Sequence, residues 1–157
     1  MNITTDQQVS IQELIASHQG MKGALLPLLH AIQEKVGFIP ADSVGDIAKG
    51  LNLSRAEVHG VITYYHFFRT QAPGRHVLQV CRAESCQACG ADALLALAEK
   101  TLGCESHQTT ANGSVTLEPV YCLGLCASSP AIQVDDKLHA RVSLDQLKNI
   151  LNQLEAA

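Results

Sequence analysis

Four cysteines in two short pairs constrain this chain more than any other feature of its sequence. Cys81 and Cys86 are separated by four residues, and Cys122 and Cys126 are separated by three. A spacer of this length lets one loop arch around a metal so that two thiolates reach it together. Two such loops can supply the ligands of a two-iron, two-sulfur (2Fe-2S) cluster, and they also suit structural zinc. The spacing therefore predicts a metal centre and leaves the metal open.

Each cysteine pair is predicted to lie in a loop that directly follows a β-strand. Residues 76–80 and 114–120 form short strand-like segments that run into the first cysteine of each pair. Gly124, at the centre of the second loop, allows the backbone to approach inorganic sulfide and to offer it N–H donors. Cys86 is expected just before a helix, whose free N–H groups favour a thiolate over a thiol.

One further interpretation uses a different cysteine pair. Cys86 and Cys89 form a C-x-x-C sequence at the start of a predicted helix, which is the arrangement of thioredoxin-type dithiols. That interpretation leaves three cysteines of the two predicted pairs without a role. If the two pairs hold the metal, Cys89 and Cys104 are instead expected to be small buried side chains.

The composition restricts the compartment and the partners of the protein. The chain has 157 residues, a formal net charge of -4 and no cluster of Lys and Arg, which argues against binding to nucleic acid or to an anionic membrane. The start of the chain lacks the pattern of a signal peptide, and no apolar stretch is long enough to cross a bilayer. We therefore expect a cytoplasmic protein, in which disulfide bonds are disfavoured.

Residues 1–72 are predicted to form a helical bundle domain. Apolar side chains recur at three- and four-residue intervals in four segments. Ser54 and Glu57 form a capping box at the start of the fourth segment, and Gly50 is expected to end the third in a left-handed conformation. The four apolar stripes are Ile11, Leu14 and Ile15; Leu25, Leu28, Leu29, Ile32 and Val36; Val44, Ile47 and Ala48; and Val58, Val61, Ile62, Tyr65 and Phe68.

Residues 73–157 are predicted to form a second, α/β domain, because the character of the sequence changes after the linker-like segment 71–75. The two strand-like segments are separated by a predicted helix over residues 88–102. Alternating apolar residues on either side of Asp135 and Asp136 predict a β-hairpin. Ser143 and Gln146 then cap a final helix, so that the elements form a small layer of helices on a short sheet.

The motifs of both halves resemble the thioredoxin-like 2Fe-2S subunit family, to which the 24 kDa subunit of NADH dehydrogenase belongs. In the helical half, the matching residues are Leu25-Leu26-Pro27-Leu28-Leu29, Gln33, Gly37-Phe38-Ile39-Pro40, Glu57-Val58-His59-Gly60-Val61, Tyr64-Tyr65 and Phe68. In the second half, they are Cys81-x4-Cys86-x3-Gly90 and Cys122-x-Gly124-x-Cys126. The resemblance favours iron–sulfur over zinc and implies that all four paired cysteines are ligands. It implies an α+β fold, with an N-terminal helical bundle followed by a thioredoxin-like α/β 2Fe-2S ferredoxin domain.

Within this family, the ligand loops are most similar to the gamma subunit of soluble NAD-dependent formate dehydrogenases. The similarity lies in the segments 81–88, 122–131 and 139–142. Complex I members more often have Thr and Pro in the first loop, and Ala at the position of Ser129. Respiratory NADH dehydrogenase and NAD-linked hydrogenases contain an equivalent subunit, and they are the alternatives to the formate branch.

The resemblance implies a non-catalytic electron-transfer subunit of an NAD-dependent formate dehydrogenase complex, with no substrate site of its own. FMN and NAD are expected in a flavin-containing beta subunit near the cluster, and the molybdenum cofactor in an alpha subunit that oxidises formate. Arg82, Glu84 and Ser85 are candidates for tuning the reduction potential of the cluster. A zinc-binding structural module is the alternative from another functional class.

Overall fold

The computed structural model describes residues 4–156, and it describes side chains up to residue 154. The chain divides between Ala72 and Pro73 into two compact units. The first unit is helical and the second combines helices with a mixed sheet, so the predicted α+β class is confirmed. The helices of the first unit are α1 (Thr5–His18), α2 (Leu25–Val36), α3 (Ser43–Gly50) and α4 (Arg55–Tyr64).

Local hydrogen bonds set the ends of the helices in the first unit. The predicted capping box of α4 is confirmed, because Ser54 N–H donates to the Glu57 carboxylate at 2.8 Å and Glu57 N–H donates to Ser54 Oγ at 3.2 Å. Helix α2 ends at Gly37, whose φ of +92° is accessible to glycine at little steric cost. Helix α1 begins with a capping box that was not predicted from the sequence, formed by Thr4 and Gln7.

The core of the helical unit is formed by the predicted apolar stripes, supplemented by one buried polar side chain. Leu28, Leu29 and Ile32 of α2 are fully buried, and burial of each stabilises the fold by roughly 1.5–3 kcal/mol. Gln33 is also buried, and its amide donates to the carbonyl of Phe67 at 2.8 Å and accepts from the N–H of Arg69 at 2.7 Å. Gln33 therefore ties α2 to the segment that follows α4.

Two sequence predictions for this unit were wrong. Gly50 is the last residue of α3 and is not left-handed; the left-handed residue is Asn52, with a φ of +54°. A side chain at Gly50 would collide with Ile15 of α1, so the glycine is explained by close packing between helices. Helix α4 ends at Tyr64, so Tyr65 and Phe68 lie beyond it; Phe68 is buried, but Tyr65 is exposed.

The second unit is built on a five-stranded mixed sheet in the order β2-β3-β1-β4-β5. Strands β1 and β3 are parallel, and the other neighbouring pairs are antiparallel. The strands are β1 (His76–Cys81), β2 (Gln108–Thr109), β3 (Val115–Val120), β4 (Ile132–Val134) and β5 (Lys137–His139). The helices are α5 (Glu84–Ala88), α6 (Ala91–Leu102) and α7 (Leu144–Ala156), with a 3-10 turn at Cys126–Ser128.

One apolar core joins the sheet to α6 and α7. Leu78 pairs with Leu117 on one side and with Val134 on the other, so apolar side chains from three adjacent strands lie in one row. Helices α6 and α7 contribute buried residues to the same core. The residues of α6 and α7 in this core are Leu94, Leu95, Ala98, Leu102, Leu147, Leu151 and Leu154.

The predicted hairpin and final capping box of this unit are confirmed. The helix expected over residues 88–102 is present as α6, which begins at Ala91 after the left-handed Gly90, whose φ is +95°. The short helix α5 that precedes it was not predicted. The two-residue strand β2 was not predicted. Among the helices of residues 4–156, none combines the length and the apolar character that a membrane span requires.

Candidate metal centre

The first cysteine pair is buried at the end of β1. Cys81 is the last residue of this strand, and its N–H donates to the carbonyl of Ala131 at 3.1 Å. Cys86 lies inside the short helix α5, so the expectation that it precedes a helix was wrong. Both residues are 2% exposed. Each thiol shifts the pKa of the other, so the turn of α5 places the two thiols near each other.

The second cysteine pair lies in the exposed loop after β3. Gly124 has a φ of +75°, and its N–H donates to the sulfur of Cys122 at 3.3 Å. Cys126 begins the 3-10 turn, and its thiol is near enough to Cys122 for that neighbour to raise its pKa. The structure therefore shows the backbone bend predicted at Gly124, but the N–H that was expected to donate to inorganic sulfide donates to the Cys122 sulfur.

The sheet and two hydrogen bonds bring these two loops together. Cys81 pairs with Val120 in the parallel register of β1 and β3, so the chain leaves both strands at the same edge of the sheet. Beyond this edge, Arg82 N–H donates to the carbonyl of Val120 at 2.7 Å. Ser85 Oγ donates to the carbonyl of Cys126 at 3.0 Å. The two segments that contain the four predicted ligands are thus adjacent and are joined by side-chain and backbone hydrogen bonds.

The thiols of the two loops differ in their electrostatic surroundings. Burial is the main cause that raises the pKa of Cys81. Burial also acts to raise the pKa of Cys86, but hydrogen bonds from Ser129, Cys81 and the Ala131 backbone outweigh it and lower the pKa. The pKa of Cys126 is raised, chiefly by its contact with Cys122 and by the charge of that neighbour. Hydrogen bonding at Cys86 therefore favours the thiolate, which is the form that binds metals.

The remaining cysteines have different environments from each other. Cys104 is buried in the core of the sheet unit, as expected, and burial followed by the charge of Glu99 raises its pKa. Cys89 is exposed, so the prediction that it is buried was wrong. Its position directly before the left-handed Gly90, at the end of α5, explains why it projects from the core.

The contact that Ser129 makes with the first cysteine pair was not predicted. Ser129 Oγ lies 3.4 Å from the sulfur of Cys86, whereas the sequence had pointed to Ser129 only as a marker of subfamily. The sequence contained one signal for a role of Ser129 at the site, namely its position three residues after Cys126. A side chain so close to one predicted ligand can reach the sulfur of another when the two cysteine pairs are adjacent. Of the proposed tuning residues, Arg82 forms an ion pair with Asp92 at 2.9 Å, and Glu84 is exposed.

The donor set fits a 2Fe-2S cluster. The donors are four sulfur atoms in two pairs, and an iron–sulfur cluster takes one such pair at each iron. No atom lies within 4 Å of the position that a Cβ on Gly124 would occupy, so the backbone there faces open space. In the part of the chain that the structure describes, no three His, Cys, Asp or Glu side chains are grouped to hold a single metal ion. A 2Fe-2S cluster requires only two thiolates at each iron, which is the number that each pair supplies.

Comparison with known proteins gives a family for this arrangement. The chain matches the family of thioredoxin-like 2Fe-2S ferredoxins over residues 11–155. It belongs to this family. The match includes both units, so the helical half is part of the family pattern together with the cysteine loops.

Similar proteins include subunits of NADH-quinone oxidoreductases. The chain is 35% identical over 147 residues to an NADH-quinone oxidoreductase subunit of Rhizobium meliloti, covering 94% of this chain and 88% of that subunit. It is 31% identical over 159 residues to an NADH-quinone oxidoreductase subunit of Thermus thermophilus, covering 99% of this chain and 88% of that subunit. These ferredoxin relatives are therefore similar over nearly their whole lengths.

A solved structure shares the fold. The chain resembles part of an NAD+-reducing NiFe-hydrogenase in the H2-reduced state, with a TM-score of 0.70 and 21% identity. The match covers 84% of this chain and only 22% of the hydrogenase chain. At this identity the likeness shows a common fold and does not transfer the activity of the larger protein.

Proposed function

We propose that this chain binds one 2Fe-2S cluster through Cys81, Cys86, Cys122 and Cys126 and transfers electrons as a non-catalytic subunit of an NAD-linked oxidoreductase. The observation that carries the proposal is the parallel pairing of β1 with β3, which places the two cysteine loops at one edge of the sheet. Family membership supports the cluster over zinc. A bound 2Fe-2S cluster accepts and releases one electron at a time.

The residues around the cysteines would bind the cluster and limit its exposure to water. Cys81 and Cys86 pack in an apolar cluster with Ala91 and Ala131, and Leu123 lies against the same cluster. Apolar surroundings and hydrogen bonds to sulfur are the means by which a protein sets the potential of such a centre. In this proposal the first pair is the shielded side of the site, whereas the second pair is open to solvent or to a partner.

The relatives favour a complex of the NADH-quinone oxidoreductase kind or an NAD-reducing hydrogenase, with FMN and NAD in a partner subunit. Two relatives of more than 30% identity are named as NADH-quinone oxidoreductase subunits, and the shared fold occurs in an NAD+-reducing hydrogenase. We therefore place this assignment before the formate dehydrogenase branch that the loop residues first suggested. A cytoplasmic location is part of the same proposal.

Formate dehydrogenase is the second candidate, and it rests on the sequence of segments 81–88, 122–131 and 139–142 alone. Residues 82–88 and Ser129 depart from the complex I pattern in the direction of the formate dehydrogenase gamma subunit. Purification of the chain with its native partners would separate the candidates. A molybdenum subunit together with a flavin subunit would support the formate branch, a nickel–iron subunit would support the hydrogenase, and a membrane-bound quinone-reducing assembly would support the respiratory enzyme.

The cluster itself is tested by anaerobic purification of the full chain. We expect two iron and two acid-labile sulfide per chain, and an electron paramagnetic resonance signal that appears on one-electron reduction. Zinc in place of iron, with no visible absorption and no signal on reduction, would contradict the proposal. That result would instead support the structural zinc module.

A further inference from the structure

Two serine hydroxyls form a small hydrogen-bonded group between the cysteine loops. Ser129 Oγ lies 3.4 Å from the sulfur of Cys86, 2.9 Å from Ser85 Oγ and 3.0 Å from the carbonyl oxygen of Cys126. Ser85 Oγ lies 3.0 Å from the same carbonyl oxygen. Both hydroxyls are therefore close to the Cys126 carbonyl, but Ser129 is the one in contact with a predicted ligand sulfur.

The number of protons in this group limits which atom the Ser129 hydroxyl can donate to. Each serine hydroxyl carries one proton, and a carbonyl oxygen can only accept. As a free thiol, Cys86 can donate to Ser129 Oγ, which leaves the Ser129 proton for the Cys126 carbonyl. A sulfur bound to iron has lost its proton and can only accept. In the cluster-bound protein, the contact therefore requires Ser129 to donate to Cys86. The Ser85 proton can then go to the Cys126 carbonyl at 3.0 Å or to Ser129 Oγ at 2.9 Å, and neither arrangement takes the Ser129 proton from the sulfur.

We propose that Ser129 donates its hydroxyl proton to the cluster-bound sulfur of Cys86 and thereby raises the reduction potential, and that Ser85 keeps this proton available by occupying the Cys126 carbonyl. The proposal rests on the proposed function of the chain as a 2Fe-2S protein. Reduction adds negative charge to the cluster and its thiolate ligands, and a hydrogen bond to sulfur stabilises the more negative state. Ser129 is a positioning residue that acts through its ligand.

Three substitutions test the division of roles in the full chain with its cluster. In a redox titration followed by electron paramagnetic resonance, Ser129→Ala should shift the midpoint potential to more negative values, and Ser129→Thr, which keeps the hydroxyl, should restore most of the shift. Ser85→Ala should produce a smaller shift in the same direction, because the single Ser129 proton is then shared between Cys86 and the Cys126 carbonyl.

A double variant and a matched control separate tuning from general loss of stability. Ser85→Ala combined with Ser129→Ala should have the same potential as Ser129→Ala alone, since Ser85 acts only through Ser129. Ser143→Ala removes the hydroxyl that accepts the Gln146 N–H at the start of α7. It should lower the stability of the unit without moving the potential.

The outcomes distinguish this inference from the function on which it rests. If the unmodified chain holds no iron and sulfide, the proposed function fails and this inference fails with it. If the cluster is present but Ser129→Ala leaves the potential unchanged, this inference alone is overturned. If Ser129→Ala cannot hold the cluster, Ser85→Ala gives the decision, because an unshifted potential in that variant contradicts the sharing of the proton.

Discussion

Cys81 and Val120 are paired residues at the ends of the parallel strands β1 and β3. Because neighbouring parallel strands end at the same edge of a sheet, the loops that follow them begin side by side. Cys86 lies five residues after the end of β1, and Cys122 lies two residues after the end of β3. The sheet pairing therefore brings together two cysteine-bearing segments that are widely separated in the sequence, and the predictions for the cysteines depend on it.

Cys122→Ala should abolish the cluster. The substitution leaves one iron open to water and removes binding free energy that also stabilises the folded loops. Iron and sulfide content and the visible spectrum of the anaerobically purified chain measure the effect. Cys104→Ala is the matched control, because Cys104 lies in the core of the same unit. It should keep the cluster and lower the free energy of unfolding by about 1 kcal/mol. An unshifted spectrum in Cys122→Ala would contradict the ligand assignment.

Cys89→Ser should leave the spectrum and the rate of electron transfer unchanged, whereas Cys86→Ser should alter both. Cys89 is exposed at the end of α5, and Cys86 is buried beside Cys81. The two variants therefore make the same chemical change at the two positions of the C-x-x-C sequence. Absorption spectra and reduction by an artificial electron donor provide the measurement. Loss of function in Cys89→Ser with retention in Cys86→Ser would instead support a dithiol enzyme.

Gly124→Ala should destabilise the second cysteine loop. The φ of +75° at this position places an alanine in the left-handed region, at a cost of roughly 1–2 kcal/mol. The added methyl group meets no atom within 4 Å, so the cost arises from the backbone and not from a clash. The expected result is faster loss of the cluster on exposure to a chelator, measured by the decay of visible absorption.

Gly60→Ala is the control for the change at Gly124. Gly60 lies within α4, and an added methyl group there also meets no atom within 4 Å. Alanine in a helix interior is favoured over glycine by roughly 0.5–1 kcal/mol. This variant should therefore be neutral or stabilising and should lose the cluster at the rate of the unmodified chain. Equal effects of the two substitutions would rule out the conformational explanation.

The sequence predicted the elements whose signals are local. The capping boxes at Ser54 and Ser143 depend on residues three apart, and the structure confirms them. The stripe of α2 depends on residues three or four apart, and its members Leu28, Leu29 and Ile32 are buried. The five-residue helix α5 is too short to show a helical period, and the two-residue β2 is too short to show alternation. The strand order depends on pairing between distant segments. Local patterns contain little information about that pairing.

The candidate site shows the same division between local and distant information. The spacing of the four cysteines identified them as candidate ligands, and the glycine at position 124 predicted the backbone bend. Both features are visible in the sequence. The contact of Ser129 with Cys86 joins residues 43 positions apart. Gly50 was misinterpreted for a related reason, because its neighbour Ile15 belongs to another helix. Such contacts are set by packing and cannot be derived from the local pattern.

Gly50→Ala should destabilise the helical unit by about 1–3 kcal/mol, because the added methyl group overlaps Ile15 in a packed core. Gly45→Ala is the matched control in the same helix, where an added methyl group meets no atom within 4 Å. Urea unfolding followed by far-ultraviolet circular dichroism measures both. Ile15→Leu moves the branch of the side chain away from Cβ and should recover part of the loss in the double variant. Equal stability of Gly50→Ala and Gly45→Ala would contradict the packing explanation.

The stability of the helical unit should depend on the protonation of Glu57. Hydrogen bonds from the backbone N–H and then the hydroxyl of Ser54 lower the pKa of the Glu57 carboxyl. Because this pKa is lower in the folded chain than in the unfolded chain, the unfolded chain binds more protons near the ordinary Glu pKa. The stabilisation is therefore present above the unfolded pKa and is lost as the pH falls through the folded pKa.

Glu57→Gln should remove this part of the pH dependence, because glutamine accepts the same hydrogen bonds without titrating. Ser54→Ala should retain a part of it, since the backbone N–H that is the larger cause of the shift remains, and it should cost about 1 kcal/mol through loss of the cap. Urea unfolding of the metal-free chain between about pH 3 and about pH 6 measures the slope for each variant. The same slope in Glu57→Gln as in the unmodified chain would show that Glu57 does not contribute, because the remaining carboxyl groups are identical in the two proteins.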